Sequence, residues 1–430
     1  MNEYDSNRIY DLANKINYSK TENYEEADCY VLNTCHIREK ATDKVYHDIG
    51  RLKKKFRNKK KPIVVVTGCV AQAEGDIILE RENYIDAVIG PQSYHQFNET
   101  ITKLEKKTFK VNKTEFNVVD KFDELNLIKN SNSEVSSFLT IQEGCDKFCK
   151  FCVVPYTRGT EYSRSHTELL KETRELVKNG AKEITLLGQN VNAYSSSGKK
   201  LSHLIEEISK INKLERIRYT TSHPIDFSED LINAHKNFTK LMPLIHLPVQ
   251  TGSDKILKNM NRKHSIKEYL NLIYKLKEAN PQVKFSSDFI IGYPGETSDD
   301  FNQTLNLIRE VQFINLYSFV FSPRPGTPAA DMKAVDENEA KGRLVIFQEE
   351  AEKIKMVYRK NLINKKSLVL FENRIGNKNE FFGRDEYFNA VIVKSAEDLK
   401  GKTREVNIYS GNQNTLFGEL MKINNEIYAA

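Results

Sequence analysis

Two kinds of segment alternate over the first hundred residues. Short runs, Cys29-Tyr30-Val31-Leu32, Ile63-Val64-Val65-Val66 and Ala87-Val88-Ile89, are apolar throughout and rich in β-branched residues, while longer polar stretches such as 37–56 carry a helix-like pattern. Strands that are apolar on both faces and separated by helices predict a parallel sheet covered on both sides. Residues 1–105 are therefore expected to form a small doubly wound α/β domain. The segment 101–137, rich in Lys, Asn, Glu and Ser, loses this rhythm and reads as a connection, with a boundary near 130.

Within 131–360 six apolar runs recur with helical stretches between them, at 138–142, 183–187, 217–220, 245–249, 283–291 and 316–321. One intervening helix has a capping-box start at Ser265 and Glu268, followed by Leu270, Ile273 and Leu276 on one face. Six strand–helix units predict a partial (β/α)6 barrel of the TIM type, with its chemistry at the ends of the strands. After a charged helical connector at about 335–362, the tail changes to short strand-like pieces at 368–371, 389–393, 405–409 and 416–420. A small all-β barrel over 363–425 is the expected form.

Composition narrows the class without choosing a function. At 430 residues the chain suggests about three domains. No apolar run approaches the roughly 18 residues of a membrane span, and the polar start Met-Asn-Glu-Tyr-Asp-Ser has no targeting pattern, so a cytoplasmic protein is expected. Sixty-five basic against 59 acidic residues give a net charge of +6, too mild to require a nucleic-acid partner. Six cysteines in such a chain point to metal or redox use rather than to disulfides.

The strongest chemical signal is Cys145-Asp-Lys-Phe-Cys149-Lys-Phe-Cys152, directly after the first barrel run. Three thiolates at this spacing converge on one centre, and a three-cysteine loop leaves one iron of a [4Fe-4S] cluster open to an exogenous ligand. A zinc knuckle completed by a distant His is the competing reading, although structural zinc prefers two C-x2-C pairs. There is no GxxxxGK[ST], GxGxxG or HExxH segment.

This loop resembles that of the radical S-adenosylmethionine (SAM) superfamily, whose open iron is chelated by the methionine part of SAM. Longer segments narrow the resemblance: Gln142-Glu143-Gly144-Cys145, Cys152 through Arg158-Gly159, Leu187-Gly188-Gln189-Asn190 through Tyr194, His246 through Gln250-Thr-Gly-Ser253, and Ser322 through Pro328. With Asn33-Thr34-Cys35 through Lys40 and Gly68-Cys69-Val-Ala-Gln72, they look like the methylthiotransferases, most of all the tRNA-modifying MiaB-type branch.

The resemblance implies three domains: an N-terminal methylthiotransferase domain with a second [4Fe-4S] cluster, a central radical SAM domain, and a C-terminal TRAM domain that grips RNA. One SAM would supply the radical that removes hydrogen from C2 of N6-isopentenyladenosine beside the anticodon. A second SAM would supply the methyl, and the sulfur would pass through the second cluster. On this reading Cys145, Cys149 and Cys152 hold the radical SAM cluster and Cys35 and Cys69 belong to the second. Gly188, Gln189, Asn190, Gln250 and Ser253, at strand ends, would meet SAM or substrate; cap and turn roles are their alternative. The expected partners are tRNA bearing isopentenylated adenosine, an electron donor of the flavodoxin or ferredoxin type, and a sulfur source; the enzyme is expected to act as a monomer without a membrane. Rival readings are methylthiolation of N6-threonylcarbamoyladenosine or of a ribosomal protein, and a non-catalytic zinc-binding RNA-binding protein.

One departure stands out. In the family a first cysteine of the second cluster lies in a Gly-Cys-Gln-Met-Asn-x-x-Asp-Ser segment, whereas this sequence opens at Met1-Asn2-Glu3-Tyr4-Asp5-Ser6. Three explanations are open: a start at an internal Met, which is the expectation; replacement by Cys29, whose default is a small buried thiol; or a cluster with fewer protein thiolates.

Two stretches are candidates for RNA. Residues 51–61 hold eight basic residues among eleven, against the alternative of a solvated helix end. The tail interleaves Arg374, Lys378, Phe381, Phe382, Arg384, Tyr387 and Phe388, of which half the aromatics should be core.

Overall fold

The computed structural model describes residues 1–35, 40–106, 109–376 and 378–421, without the side chains of 40–42. The N-terminal unit is a parallel sheet of β1 (Cys29–Thr34), β2 (Ile63–Gly68), β3 (Ala87–Ile89) and β4 (Val111–Lys113), in that spatial order. Both faces are covered, as runs apolar at every position require. Val64, Val66 and Val88 pack with Val45, Ile49 and Leu52 of the helix Lys40–Lys55. Val65, Ala87 and Ile89 face the opposite way, onto Ile9, Leu12, Phe97 and Ile101.

The segment expected to be a connection is more structured than its composition suggested. It contributes β4, paired with β3, and the helix Val118–Asn126, whose Phe122 and Leu125 are buried in the same core. With one apolar residue in three, Val111-Asn112-Lys113 leaves no periodicity to read.

All six expected barrel strands are present: β5 (Ser136–Thr140), β6 (Glu183–Leu187), β7 (Arg216–Thr220), β8 (Leu244–His246), β9 (Lys284–Ile291) and β10 (Asn315–Val320). They form two parallel three-stranded sheets, β7-β6-β5 and β8-β9-β10. A bridge between Ile217 and Leu241 joins them into one open partial barrel. The capping box at Ser265 is present, and Ile273 and Leu276 of its helix are fully buried.

A long helix, Glu337–Lys360, leads to a closed barrel of β11 (Lys366–Arg374), β12 (Glu380–Arg384), β13 (Ala390–Lys394), β14 (Thr403–Gly411) and β15 (Thr415–Leu420). Strand β12, with Gly383 inside it and charged ends, is the one the sequence pattern missed. This barrel docks on β7. Arg216 and Arg218 alternate with Ile217 and Tyr219, which belong to the core. Arg216 donates to the carbonyls of Arg384 (2.8 Å) and Leu368 (2.6 Å), and Arg218 to those of Glu386 (2.8 Å) and Asp385 (2.7 Å).

No described helix is long and apolar enough to cross a membrane, and none of the six cysteines is in a disulfide.

Candidate active site

The chain leaves β5 through Gln142–Glu143, which pairs antiparallel with Tyr162–Ser163 and closes the base of the cysteine loop. Gly144 is at φ +78°, where a Cβ would lie 1.8 Å from the Thr160 carbonyl oxygen, so only glycine fits this close approach. The loop is then braced from several elements. Cys145 N–H donates to Gly159 (3.1 Å), Cys152 N–H to Cys149 (2.9 Å), and Lys150 N–H to Met260 (3.0 Å). Ala329, just past the Pro-rich segment after β10, donates to Lys150 (3.0 Å), and the Asn261 amide to Phe148 (2.9 Å).

Cys145, Cys149 and Cys152 lie within this one braced loop beyond the first barrel strand. Burial, reinforced by the neighbouring thiols, pushes Cys145 up to about 12 and Cys152 up to about 11. Desolvated thiols of this kind ionise when a cation pairs with them, and iron does so directly. Three soft sulfur donors in one loop fit a [4Fe-4S] cluster with one open iron. Among the described residues no three His, Cys, Asp or Glu side chains close on a point as a single-ion cage would need.

The end of β6 is wired to this loop. Gly144 N–H donates to the Gln189 side chain (2.7 Å), and Asn190 N–H to that of Gln142 (3.1 Å). The Asn190 amide donates to Glu161 (3.0 Å) and Asp226 (2.6 Å), and Asp226 in turn pairs with Lys147 (2.8 Å) inside the cysteine loop. A Cβ at Gly188 would meet Gln142 Oε1 at 2.7 Å, so this glycine too is set by a close approach. Gln250, after β8, is buried at φ +80° and bridges Phe289 through its backbone. Ser253 caps the helix Asp254–Asn259, accepting from Ile256 N–H and donating to Asp300 (2.7 Å).

Several residues at this mouth escaped the sequence reading. Arg262 directs Nη1 to Cys149 Sγ (3.7 Å) and Nη2 to the Pro248 carbonyl (2.6 Å), while its Nε is buried without a partner. Nearby, His264 has both ring nitrogens unpartnered and stands edge-on to His223 at 5.8 Å. Burial and the adjacent Arg262 push His223 down to about 2 and His264 to about 3, so both are neutral. His246, inside one of the quoted segments, bonds Ser286 (3.0 Å) and approaches Asp288 (3.4 Å). No spacing rule reaches Arg262; the fold brings it to Cys149 across more than a hundred residues.

Cys35 and Cys69 follow Thr34 and Gly68, which are register partners in the adjacent strands β1 and β2, so the two cysteines leave the same end of the sheet side by side. Residues 36–39 of the segment that begins at Asn33 lie outside the described residues. Arg158 Nε points at Cys69 Sγ (3.4 Å). A cation facing a thiol at a strand end suits an anionic cluster ligand. Cys29 stands at the opposite end of β1, about 20 Å of extended chain from Cys35. Burial pushes its thiol up to about 12, and it is its place at the far end of the strand that argues against its replacing a missing ligand beside Cys35.

The RNA candidates are largely spoken for. Lys53, Lys59 and Lys61 pair with Glu82, Glu25 and Asp86, Arg51 pairs with Asp48, and Lys55 lies over the Tyr24 ring, while Lys54, Arg57 and Lys60 are exposed. In the tail Phe381 is core, Tyr387 bonds the Gln282 carbonyl (3.0 Å), and Phe388 is sandwiched by Arg384 (4.1 Å) and Arg218 (5.1 Å). Tyr387 and Phe388 thus meet the central unit, while Arg374 and Lys378 are exposed.

Residues 139–308 match the Radical SAM superfamily and residues 1–90 the Uncharacterized protein family UPF0004. The radical S-adenosylmethionine methyltransferase TsrM of Kitasatospora setae, with tryptophan and a SAM analog bound, shares the fold at a TM-score of 0.55 and 12% identity, covering 76% of this chain and 72% of that one. Partial barrel, strand-end cysteine loop and these matches define a radical SAM enzyme. A protein of Pelagibacter ubique named tRNA-2-methylthio-N(6)-dimethylallyladenosine synthase is 59% identical over 98% of this chain and 95% of its own length. One of that name from Wolbachia pipientis is 48% identical over 97% of each. The chain belongs to the tRNA-2-methylthio-N(6)-dimethylallyladenosine synthase family.

Proposed function

We propose that this enzyme places a methylthio group on C2 of N6-isopentenyladenosine next to the anticodon of tRNA. The observation that carries the reading is the braced Cys145–Cys152 loop at the mouth of the barrel, in a chain 59% identical to a synthase so named. Cys145, Cys149 and Cys152 would hold the cluster, which together with SAM would supply the radical chemistry that an unpolarised C–H requires.

The chain's own residues do the rest. Gly188, Gln189 and Asn190 hold the loop against the end of β6, and Gln250 presents its backbone at the end of β8. Ser253 supports that turn through its cap. Arg262 faces Cys149 with a permanent charge, and neutral His223 and His264 offer uncharged imidazoles beside it. Closure of the barrel mouth by nucleic acid would exclude water from this space.

The finer reading has four parts. Residues 1–105, 131–360 and 363–425 serve as the methylthiotransferase, radical SAM and TRAM units. Cys35 and Cys69 would hold a second [4Fe-4S] cluster, which would supply the sulfur chemistry. A flavodoxin- or ferredoxin-type donor and a separate sulfur source supply electron and sulfur. The enzyme works as a cytoplasmic monomer.

The test is the nucleoside content of total tRNA from cells with and without the gene. The expected result is loss of the 2-methylthio derivative with accumulation of isopentenyladenosine. Loss of methylthiolated threonylcarbamoyladenosine or of a ribosomal-protein modification, with the isopentenyl product intact, would overturn it.

A further inference from the structure

Between the two cysteine sites lies a buried charge cluster that the reaction as outlined does not use. Arg158, 2% exposed, ends the short helix Val154–Arg158 that follows the cysteine loop. Its three nitrogens point three ways: Nε to Cys69 Sγ (3.4 Å), Nη2 to Asp5 Oδ2 (3.0 Å) and Nη1 to Glu143 Oε1 (3.3 Å). Lys121, fully buried, pairs with Glu143 and approaches Asp5 (3.6 Å). The backbone here is pinned as well. Gln92 of the N-terminal unit donates to the Arg158 carbonyl, and Cys145 N–H donates to the next carbonyl, that of Gly159 (3.1 Å).

We propose that Arg158 is a positioning residue that holds Cys69 at a fixed place relative to the Cys145–Cys152 loop and so sets the second cluster site against the first. The inference rests on the reading of Cys69 as a ligand of that second cluster. Two carboxylates orient the guanidinium through Nη1 and Nη2, and the same planar group then directs its Nε–H to sulfur. A lysine at this place carries the same charge but no fork. Glu143 lies two residues before Cys145, so the same guanidinium ties Cys69 to the start of the radical SAM loop. Burial of four charged side chains at this junction is costly unless each is paired, which is the case for Arg158 and Lys121.

The experiment isolates the second site. In the full chain carrying Cys145→Ala, Cys149→Ala and Cys152→Ala, iron and acid-labile sulfide are measured after anaerobic reconstitution, and the reduced cluster is examined by electron paramagnetic resonance. Arg158→Lys and Arg158→Ala are then added separately, with circular dichroism to report folding. The expected result is that Arg158→Lys, folded like its parent, loses at least half of the parent's iron or gives an altered resonance, and that Arg158→Ala loses more. An Arg158→Lys chain with the parent's iron content and resonance overturns the proposal while leaving the second cluster in place. If the parent itself binds no iron, the reading of Cys35 and Cys69 as a cluster site fails, and this inference falls with it. Should Arg158→Ala not fold, Arg158→Lys alone decides.

Discussion

At the scale of single residues, Gly144 shows how the backbone prepares the barrel mouth, and His235, in the helix Glu229–Asn237, shows how burial fixes a protonation state. Gly144 permits the contact between the two arms of the cysteine loop that any side chain would block. Gly144→Ala combines a left-handed backbone with a clash against the Thr160 carbonyl, and the expected cost is about 2–5 kcal/mol. Denaturant unfolding together with iron content checks this; a variant of unchanged stability would remove the close approach from the argument. His235 illustrates a buried neutral base. Its Nε2 shares a hydrogen bond with Tyr219 Oη at 2.6 Å, and burial pushes it down to about 3. The unfolded value is about 6.5, so as pH falls below that point the unfolded chain takes up the proton first. This histidine therefore costs no stability above about pH 6.5 and progressively more between there and pH 3, at about 1.4 kcal/mol per pH unit. Between pH 7 and 5.5 its share is about 1 kcal/mol, and His235→Gln should flatten the pH dependence of unfolding by that amount. Equal slopes in the two proteins would contradict it.

At the scale of elements, strand ends are where capping and chemistry compete for the same residue types. Ser253 was expected at the cofactor on the strength of its motif, yet its hydroxyl is engaged by Ile256 N–H and Asp300. Ser253→Ala should lower stability by about 1 kcal/mol, with most of it recovered in Ser253→Thr, as thermal melts would report. An alanine variant as stable as the parent would show that the cap contributes little. The elements themselves were legible wherever the pattern was strong. All six barrel strands follow apolar runs, and the helix after Ser265 begins at its capping box. Strands β4 and β12 were not legible. The first is three residues long and mostly polar, and the second is interrupted by Gly383, so pairing with β3 and with β11 and β13 makes them strands.

At the scale of the whole molecule, the terminal barrel is joined to the central one by buried arginine forks. Arg218 also pairs with Glu183 (2.9 Å), which is 1% exposed. Arg218→Met would free two carbonyls and leave Glu183 with Arg216 at 4.0 Å as its nearest cation, and the expected cost is about 3–5 kcal/mol. Limited proteolysis should then release the segment beyond residue 362 faster than from the parent; equal rates would mean that the docking is held elsewhere. The sequence by itself determined the three-part order, the covered parallel sheet, the six-strand barrel and the three-cysteine loop. Each of these is written in local spacing, either of apolar positions or of thiols a few residues apart. Only the tertiary structure decided that Arg262 faces Cys149, that Arg158 spans Cys69 and Glu143, that Cys29 stands far from Cys35, and that Tyr387 and Phe388 of the tail meet the central barrel. Those contacts join residues distant along the chain. Their partners are chosen by strand register and domain docking, which no spacing within one segment encodes.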